Sequence, residues 1–278
     1  MPTRVVTDSA CDLPQELIDE HQIVVVPLTI RFGSEELVDR EELTTAQFWQ
    51  RLRESDVLPE TAAPSAGAFE KAFRDLIGQD ADGIICINLS SRLSATMQAA
   101  TVAADAVGPE CPVQVVDSLT CSMGVGELCL AAARQAQGGA SLDAIVADVI
   151  DRRDRTRLYG ALDTLEFLKK GGRVGNARAL LGSMLSIKPV VELLDGVVEE
   201  AGKVRTRSKS LQLLAGKVSA QPIESLAVLH GEAEDVDELL DLLGNDFPRD
   251  QIRVGIVGPV IGTHAGPGVI GVTFVTKA

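Results

Sequence analysis

Short apolar runs alternate with longer amphipathic stretches through the first half of the chain. Val5-Val6 closes a first short strand that leads into Thr7, Asp8, Ser9 and Ala10. Pro14 to Glu20 predicts a helix, with Asp12 as its N-cap and Pro14 in the first turn, where the missing N–H is not needed. Ile23 to Ile30 is Val-rich and strand-like. Thr44 to Arg53 predicts a helix, Gln47 standing three residues after Thr44 as in a capping box. Ala66 to Ile77 is a further helix, Gly83 to Ile87 a buried strand, Ser94 to Val107 a helix and Val113 to Val116 a strand. Gly124 to Gln137 is a helix stopped by Gly138-Gly139. This alternation predicts a parallel sheet with helices on both faces.

The second half has another rhythm. A helix from Leu142 to Arg152 leads to a strand at Leu158 to Leu162. Pro189 to Leu194 and Val197 to Glu200 flank Asp195-Gly196, a strong hairpin signal. Then follow a helix at Ser208 to Val218, a strand at Leu226 to His230, a helix at Asp235 to Leu243, and strands near Val254 to Val257 and Val269 to Thr276. Hairpins mixed with helices predict an α+β or mixed-sheet domain. The charged stretch 151–156 is the expected boundary, which divides the chain into 1–153 and 154–278.

Composition narrows the possible functions. With 45% hydrophobic residues but only 3% aromatics in 278 residues, the core is built of Leu, Val, Ile and Ala, and stacking platforms for single-stranded nucleic acid are scarce. A net charge of −14 argues against DNA or RNA, whose phosphates need a basic surface, and favours a cytoplasmic protein. Met1 to Cys11 has no signal-peptide pattern, and no apolar run reaches the roughly 18 residues of an integral membrane segment. The five cysteines form no C-x-x-C pair and suit neither a disulfide scaffold nor a zinc site.

Polar clusters fall where ligands bind in open α/β sheets, beyond the carboxyl ends of strands. They are Thr7-Asp8-Ser9, the loop Thr61 to Gly67, the stretch Asn88 to Thr96, and Asp117-Ser118. The third begins a helix, where free N–H groups and the helix dipole receive a carboxylate or phosphate. Capping accounts for its serines equally well. Lys169-Lys170-Gly171-Gly172-Arg173 ends a helix in a glycine turn, and Arg173 can grip an anion with two hydrogen bonds; a solvated helix end is the plainer alternative. Gly262 to Gly268 surrounds His264 with three glycines and a proline, as in a fixed loop pressed against something; a structural His is the alternative. The locally basic stretch 173–217, which includes Arg205, is either a docking rim or a solvated face. Gly-x-Ser-x-Gly, Walker A, His-Glu-x-x-His and Gly-x-Gly-x-x-Gly are absent. A hydrolytic set drawn from Asp8, Ser9 and His264 has no spacing to support it.

The ordered set of segments resembles the DegV family of bacterial lipid-binding proteins. It runs from Val6-Thr7-Asp8-Ser9-Ala10-Cys11-Asp12-Leu13-Pro14 through Thr61 to Phe69, Leu89 to Thr96, Asp117-Ser118, Leu165 to Arg173, Ile187-Lys188-Pro189, Arg205-Thr206-Arg207 and Gly262 to Gly268. The resemblance implies two α/β domains, a Rossmann-like parallel-sheet domain and a mixed α+β domain, with the ligand at their junction. It implies a long-chain fatty acid as bound ligand, its tail in an apolar tunnel, and no cofactor, no metal and no catalysis by the chain itself. It further implies a kinase partner that turns the acid into an acyl phosphate. Carried over by position, Thr61 and Ser94 bind the carboxylate, Arg173 and His264 lie near the head group or phosphate, and Arg205 meets the partner. Ala63 and Ala95 depart from the family pattern, which has Gln and Gly there, and Ala95 narrows the approach to its helix start. The apolar core suits such a ligand: at about 0.8 kcal/mol per buried CH₂, a long acyl chain gains on the order of 10 kcal/mol before ordering costs. An acyl hydrolase or transferase using Ser94 or His264 is the alternative.

Overall fold

The computed structural model describes residues 3–244 and 247–278, with 181–186 as backbone only. In chain order the strands are β1 (Thr3–Asp8), β2 (Val24–Val26), β3 (Thr29–Phe32), β4 (Glu35–Val38), β5 (Glu60–Ala62), β6 (Gly83–Asn88), β7 (Val113–Asp117), β8 (Thr156–Ala161), β9 (Lys188–Leu194), β10 (Val197–Val204), β11 (Ile223–His230), β12 (Arg253–Ile256) and β13 (Ile270–Thr276). The helices are α1 (Gln15–His21), α2 (Thr45–Glu54), α3 (Ala66–Ile77), α4 (Thr96–Val107), α5 (Met123–Gln137), α6 (Leu142–Arg155), α7 (Glu166–Lys170), α8 (Arg207–Ser219), α9 (Val236–Leu243) and α10 (Pro259–Ala265).

Strands β2-β1-β6-β7 form an all-parallel sheet, the arrangement expected from strand–helix alternation. Its inner strands are buried on both faces, so consecutive residues serve different cores. Val6, Ile84 and Cys86 pack with Phe69, Phe73 and Ala103 of α3 and α4. Val5, Ile85 and Ile87 turn to the other face, with Val125, Leu128 and Cys129 of α5. The C-terminal part is a mixed sheet, β10-β9-β8-β13-β11-β12, in which only β11 and β12 run parallel. One of its faces packs Tyr159, Val228 and Phe274 against Leu211 and Leu214 of α8 and Leu239 of α9. The opposite face, through Val191, Val198, Ala227 and Leu229, joins the same core as α5 and the parallel sheet. That shared core is the junction of the two parts.

Several elements form for the local reasons the sequence displays. Thr44 Oγ1 accepts from Gln47 N at 3.3 Å while Thr44 N donates to Gln47 Oε1 at 2.9 Å, a complete capping box on α2. Asp195 and Gly196 both take positive φ, as a two-residue hairpin turn between β9 and β10 requires. The turn lies against the loop after β6, where Ser90 Oγ donates to Gly196 O at 2.8 Å.

Other elements differ from expectation. The run Ile23 to Ile30 breaks at Pro27 into β2 and β3, which belong to different sheets; proline has no N–H for a central ladder. β3 pairs with β4 and β5 in a small antiparallel sheet that the sequence pattern did not reveal, so Thr61 stands on a strand rather than in a loop. Asp12 does not cap α1: it sits in the left-handed region at φ 51°, and Pro14 occupies the N-cap position without a side-chain bond. Helix α4 starts at Thr96, not Ser94. Helix α6 runs on to Arg155, three residues beyond the expected Arg152. Among the described residues no helix is long and apolar enough to cross a membrane, and the cysteines are all free.

Candidate functional site

The site is assembled around α10, which the glycine-rich stretch 262–268 had suggested to be a loop. A Cβ at Gly262 would come within 2.6 Å of the Phe48 ring and 2.9 Å of the Trp49 ring, so glycine lets α10 press directly onto α2. Trp49 Nε1 donates to Val257 O at 2.9 Å and ties down the segment entering the helix. His264, in the last turn, thereby reaches β5, where its Nε2 lies 2.9 Å from Thr61 Oγ1. On the other side of the ring is Gly171, the C-cap of α7; a Cβ there would overlap His264 Nδ1. The same glycine turn presents Arg173, whose Nη1 donates to Gly171 O at 2.6 Å and whose Nε donates to Leu93 O at 3.0 Å. Leu93 adjoins Ser94, whose hydroxyl lies 2.9 Å from Thr96 Oγ1 and accepts from Thr96 N at 3.3 Å. Thr61, His264, Arg173 and Ser94, spread over 204 positions of the chain, thus follow one another along one rim.

Burial pushes the His264 pKa down to about 4, and the neighbouring Arg173 charge adds to the effect. The ring is therefore neutral near pH 7 and serves as a hydrogen-bond partner, not a cation. Its Nδ1 is buried without a hydrogen-bond partner among the described residues. An unfolded chain protonates His264 near 6.5, and the folded one refuses that proton until about 4. The stability His264 contributes is thus complete above 6.5 and is lost as pH falls towards 4. NMR titration of the imidazole is expected to show a midpoint near 4; a midpoint at or above 6 would contradict the burial argument. Arg173 is half-buried, and no carboxylate lies within ion-pair distance of it among the described residues. Among the described residues lining the cavity behind this rim it is the one arginine or lysine.

Behind the rim lies a cavity lined from both parts of the molecule. Leu28, Leu89 and Leu93 contribute from the N-terminal part. Leu162, Val191, Val198, Leu229, Val257, Val260 and Val269 contribute from the C-terminal part. It holds about 950 Å³ of atom-free space when its open mouth is counted in. Gly160 of β8 and Gly271 of β13 stand opposite each other across the sheet and both face this space. A Cβ on Gly160 would meet nothing closer than Val191 Cγ2 at 3.9 Å, so the missing side chain is part of the cavity. Thr61, Arg173 and His264 also border an outer depression with Lys170 and Thr263, and Ser94 borders another with Ser91 and Gln98. The four rim residues therefore border both the cavity and these outer depressions, while Ser122, Tyr159 and Glu192 add further polar groups to the otherwise apolar lining.

All four rim residues named from the sequence line this cavity. Arg205 does not: it is exposed on the bend between β10 and α8. Ser94 makes no hydrogen bond to His264, so no nucleophile–base contact joins them. Among the described residues no group of His, Cys, Asp and Glu side chains could hold a metal ion. Sequence reading missed Gly160 and Gly271, since a glycine inside a strand signals only a close approach or a bulge. It also misplaced Asp12, whose partners are remote in sequence.

A family model described as "Uncharacterised protein, DegV family" matches residues 2–277. The chain belongs to the DegV family. A DegV domain-containing protein of Streptomyces coelicolor is 37% identical over 279 residues, covering 98% of each chain. Protein DegV of Bacillus subtilis is 30% identical over 283 residues, with full coverage of both. Among solved structures, a DegV family protein from Thermus thermophilus whose description names fatty acid binding superposes with a TM-score of 0.92 at 34% identity over the whole of both chains. DegV of Bacillus subtilis, described as a fatty acid binding protein, gives 0.87 at 30% identity, again over both full chains. The DegV fold thus accounts for the two-part architecture of this chain, with its parallel and mixed sheets.

Proposed function

We propose that this DegV protein binds one long-chain fatty acid, the acyl chain in the cavity and the carboxylate at the rim. The observation that carries the reading is the pairing of a largely apolar cavity with a rim holding an arginine free of any carboxylate among the described residues and two hydroxyls. An acyl chain gains about 0.8 kcal/mol per buried CH₂, which favours filling the cavity. A carboxylate cannot be buried bare, and hydroxyls with a cation are what it needs. In this reading Thr61 and Ser94 donate to the carboxylate. His264 stays neutral and orients the Thr61 hydroxyl, and Arg173 supplies the charge. The fatty-acid-binding relatives at 34% and 30% identity support the ligand class.

The finer reading is that the carrier is a non-catalytic subunit in the cytoplasm. It presents the carboxylate to an ATP-dependent kinase subunit, and Arg173 and His264 then stand beside the phosphate of the acyl phosphate. Exposed Arg205 is the proposed docking residue for that subunit, and 1–153 and 154–278 the proposed domains. Native mass spectrometry of the purified protein is expected to show one bound fatty acid. Protein that is lipid-free and takes up neither palmitate nor oleate would overturn the carrier. With the kinase subunit and ATP, acyl phosphate should form, and Arg205→Ala should prevent this without changing lipid content. Turnover of an acyl substrate by the chain alone would favour the hydrolase alternative.

A further inference from the structure

Asp12 is almost fully buried, yet its carboxylate joins three segments far apart in sequence. Its Oδ1 accepts from Gly258 N at 3.0 Å, and its Oδ2 accepts from the Ser122 hydroxyl. Gly258 is the N-cap of α10, the helix that carries His264. A Cβ at Gly258 would stand 2.6 Å from Asp12 Oδ1, so the contact is built for glycine. Ser122 lines the cavity and holds φ 54° with ψ −143°, a conformation that non-glycine residues keep only when their surroundings impose it. Asp12 itself is left-handed. Two positive-φ residues and a glycine contact therefore meet at one carboxylate, and none of them serves the local structure of α1.

We propose that Asp12 is a positioning residue for the rim: by holding the Gly258 amide and the Ser122 hydroxyl together, it sets α10 at the depth where His264 meets Thr61. The proposal rests on the carboxylate site described above, but it concerns the protein's own geometry and can be read without ligand. Burial pushes the Asp12 pKa up to about 7, and Asp39 adds to the rise; the Ser122 hydroxyl, the Arg40 charge and the Gly258 amide hold it down. Neighbouring Cys11, Cys121 and Asp8 complete the surroundings. An asparagine at this position keeps one acceptor for Gly258 and offers a donor to Ser122 Oγ, whereas alanine keeps neither.

The first test uses no lipid. In Asp12→Ala the His264 midpoint should rise from about 4 towards the ordinary 6.5 as α10 loosens, while Asp12→Asn should leave it in place. A midpoint that stays near 4 in Asp12→Ala would overturn the proposal. The second test is a double-mutant cycle on oleate affinity. Asp12→Ala alone should weaken binding about 10-fold, the scale of one lost hydrogen bond to a charged group, and should cost less than about 2-fold once His264→Ala is present. An equal loss in both backgrounds would show that Asp12 acts on the fold at large. If Asp12→Ala does not fold, Ser122→Ala removes one arm only, and the His264 midpoint should still rise; no movement in that variant overturns the proposal. Failure of the wild type to bind oleate would sink the proposed ligand and leave the first test standing.

Discussion

Replacing Gly160 by phenylalanine is expected to abolish fatty-acid binding while leaving the protein folded. The position is the penultimate residue of β8, paired with Gly271 of β13, and a Cβ there meets only Val191 Cγ2 at 3.9 Å. The first atom of the new side chain fits without displacement, and the ring then occupies the cavity. If it excludes even four methylenes of an acyl chain, at about 0.8 kcal/mol each the loss is roughly 3 kcal/mol, or more than 100-fold in affinity. Glycine within a strand is itself unfavourable and aromatics suit strands, so the melting temperature should hold or rise. Isothermal titration with palmitate and a thermal melt check the two halves. A variant that binds as the wild type does would mean that the acyl chain lies elsewhere.

The second large effect is expected at Arg173. Replacing it by glutamine should weaken fatty-acid binding by roughly 10- to 150-fold, since hydrogen bonds to charged groups contribute about 1.5–3 kcal/mol each. Arg173 also braces the rim through Gly171 O and Leu93 O, so loss of binding alone would not separate charge from scaffolding. The fatty alcohol of the same chain length separates them. It has no charge to meet, so its affinity should change little in Arg173→Gln if Arg173 acts on the carboxylate. Equal losses for acid and alcohol would show that the arginine mainly holds the two loops together.

Much of this was legible in the order of residues. The capping box of α2, the span of α3, the Asp-Gly hairpin and the glycine stop of α5 rest on interactions within a few residues, and the chain displays them directly. The neighbourhoods of Thr61, Ser94, Arg173 and His264 were legible too, as polar clusters at strand ends and helix ends. Where local signals misled, a distant partner decided. The glycines of 262–268 read as a loop, yet Gly262 is there because Phe48 and Trp49 press on α10. Strands β4 and β5 are short and carry Glu35, Glu36 and Glu60, with no apolar alternation to announce them. Asp12 looks like an N-cap because Pro14 follows it closely, but its carboxylate is taken by Gly258, 246 positions away.

What the sequence by itself determined, then, is the set of elements, their α/β order and the chemical types available to a head group. The tertiary structure alone decided how those groups touch one another, that burial lowers the His264 pKa, and that a cavity lies behind them. The physical reason is that propensities and caps act over a turn or two of chain. A pair such as Thr61 and His264 is made by packing across 203 positions. A cavity is space that no side chain fills, and Gly160 and Gly271 become part of it only when β8 and β13 lie side by side.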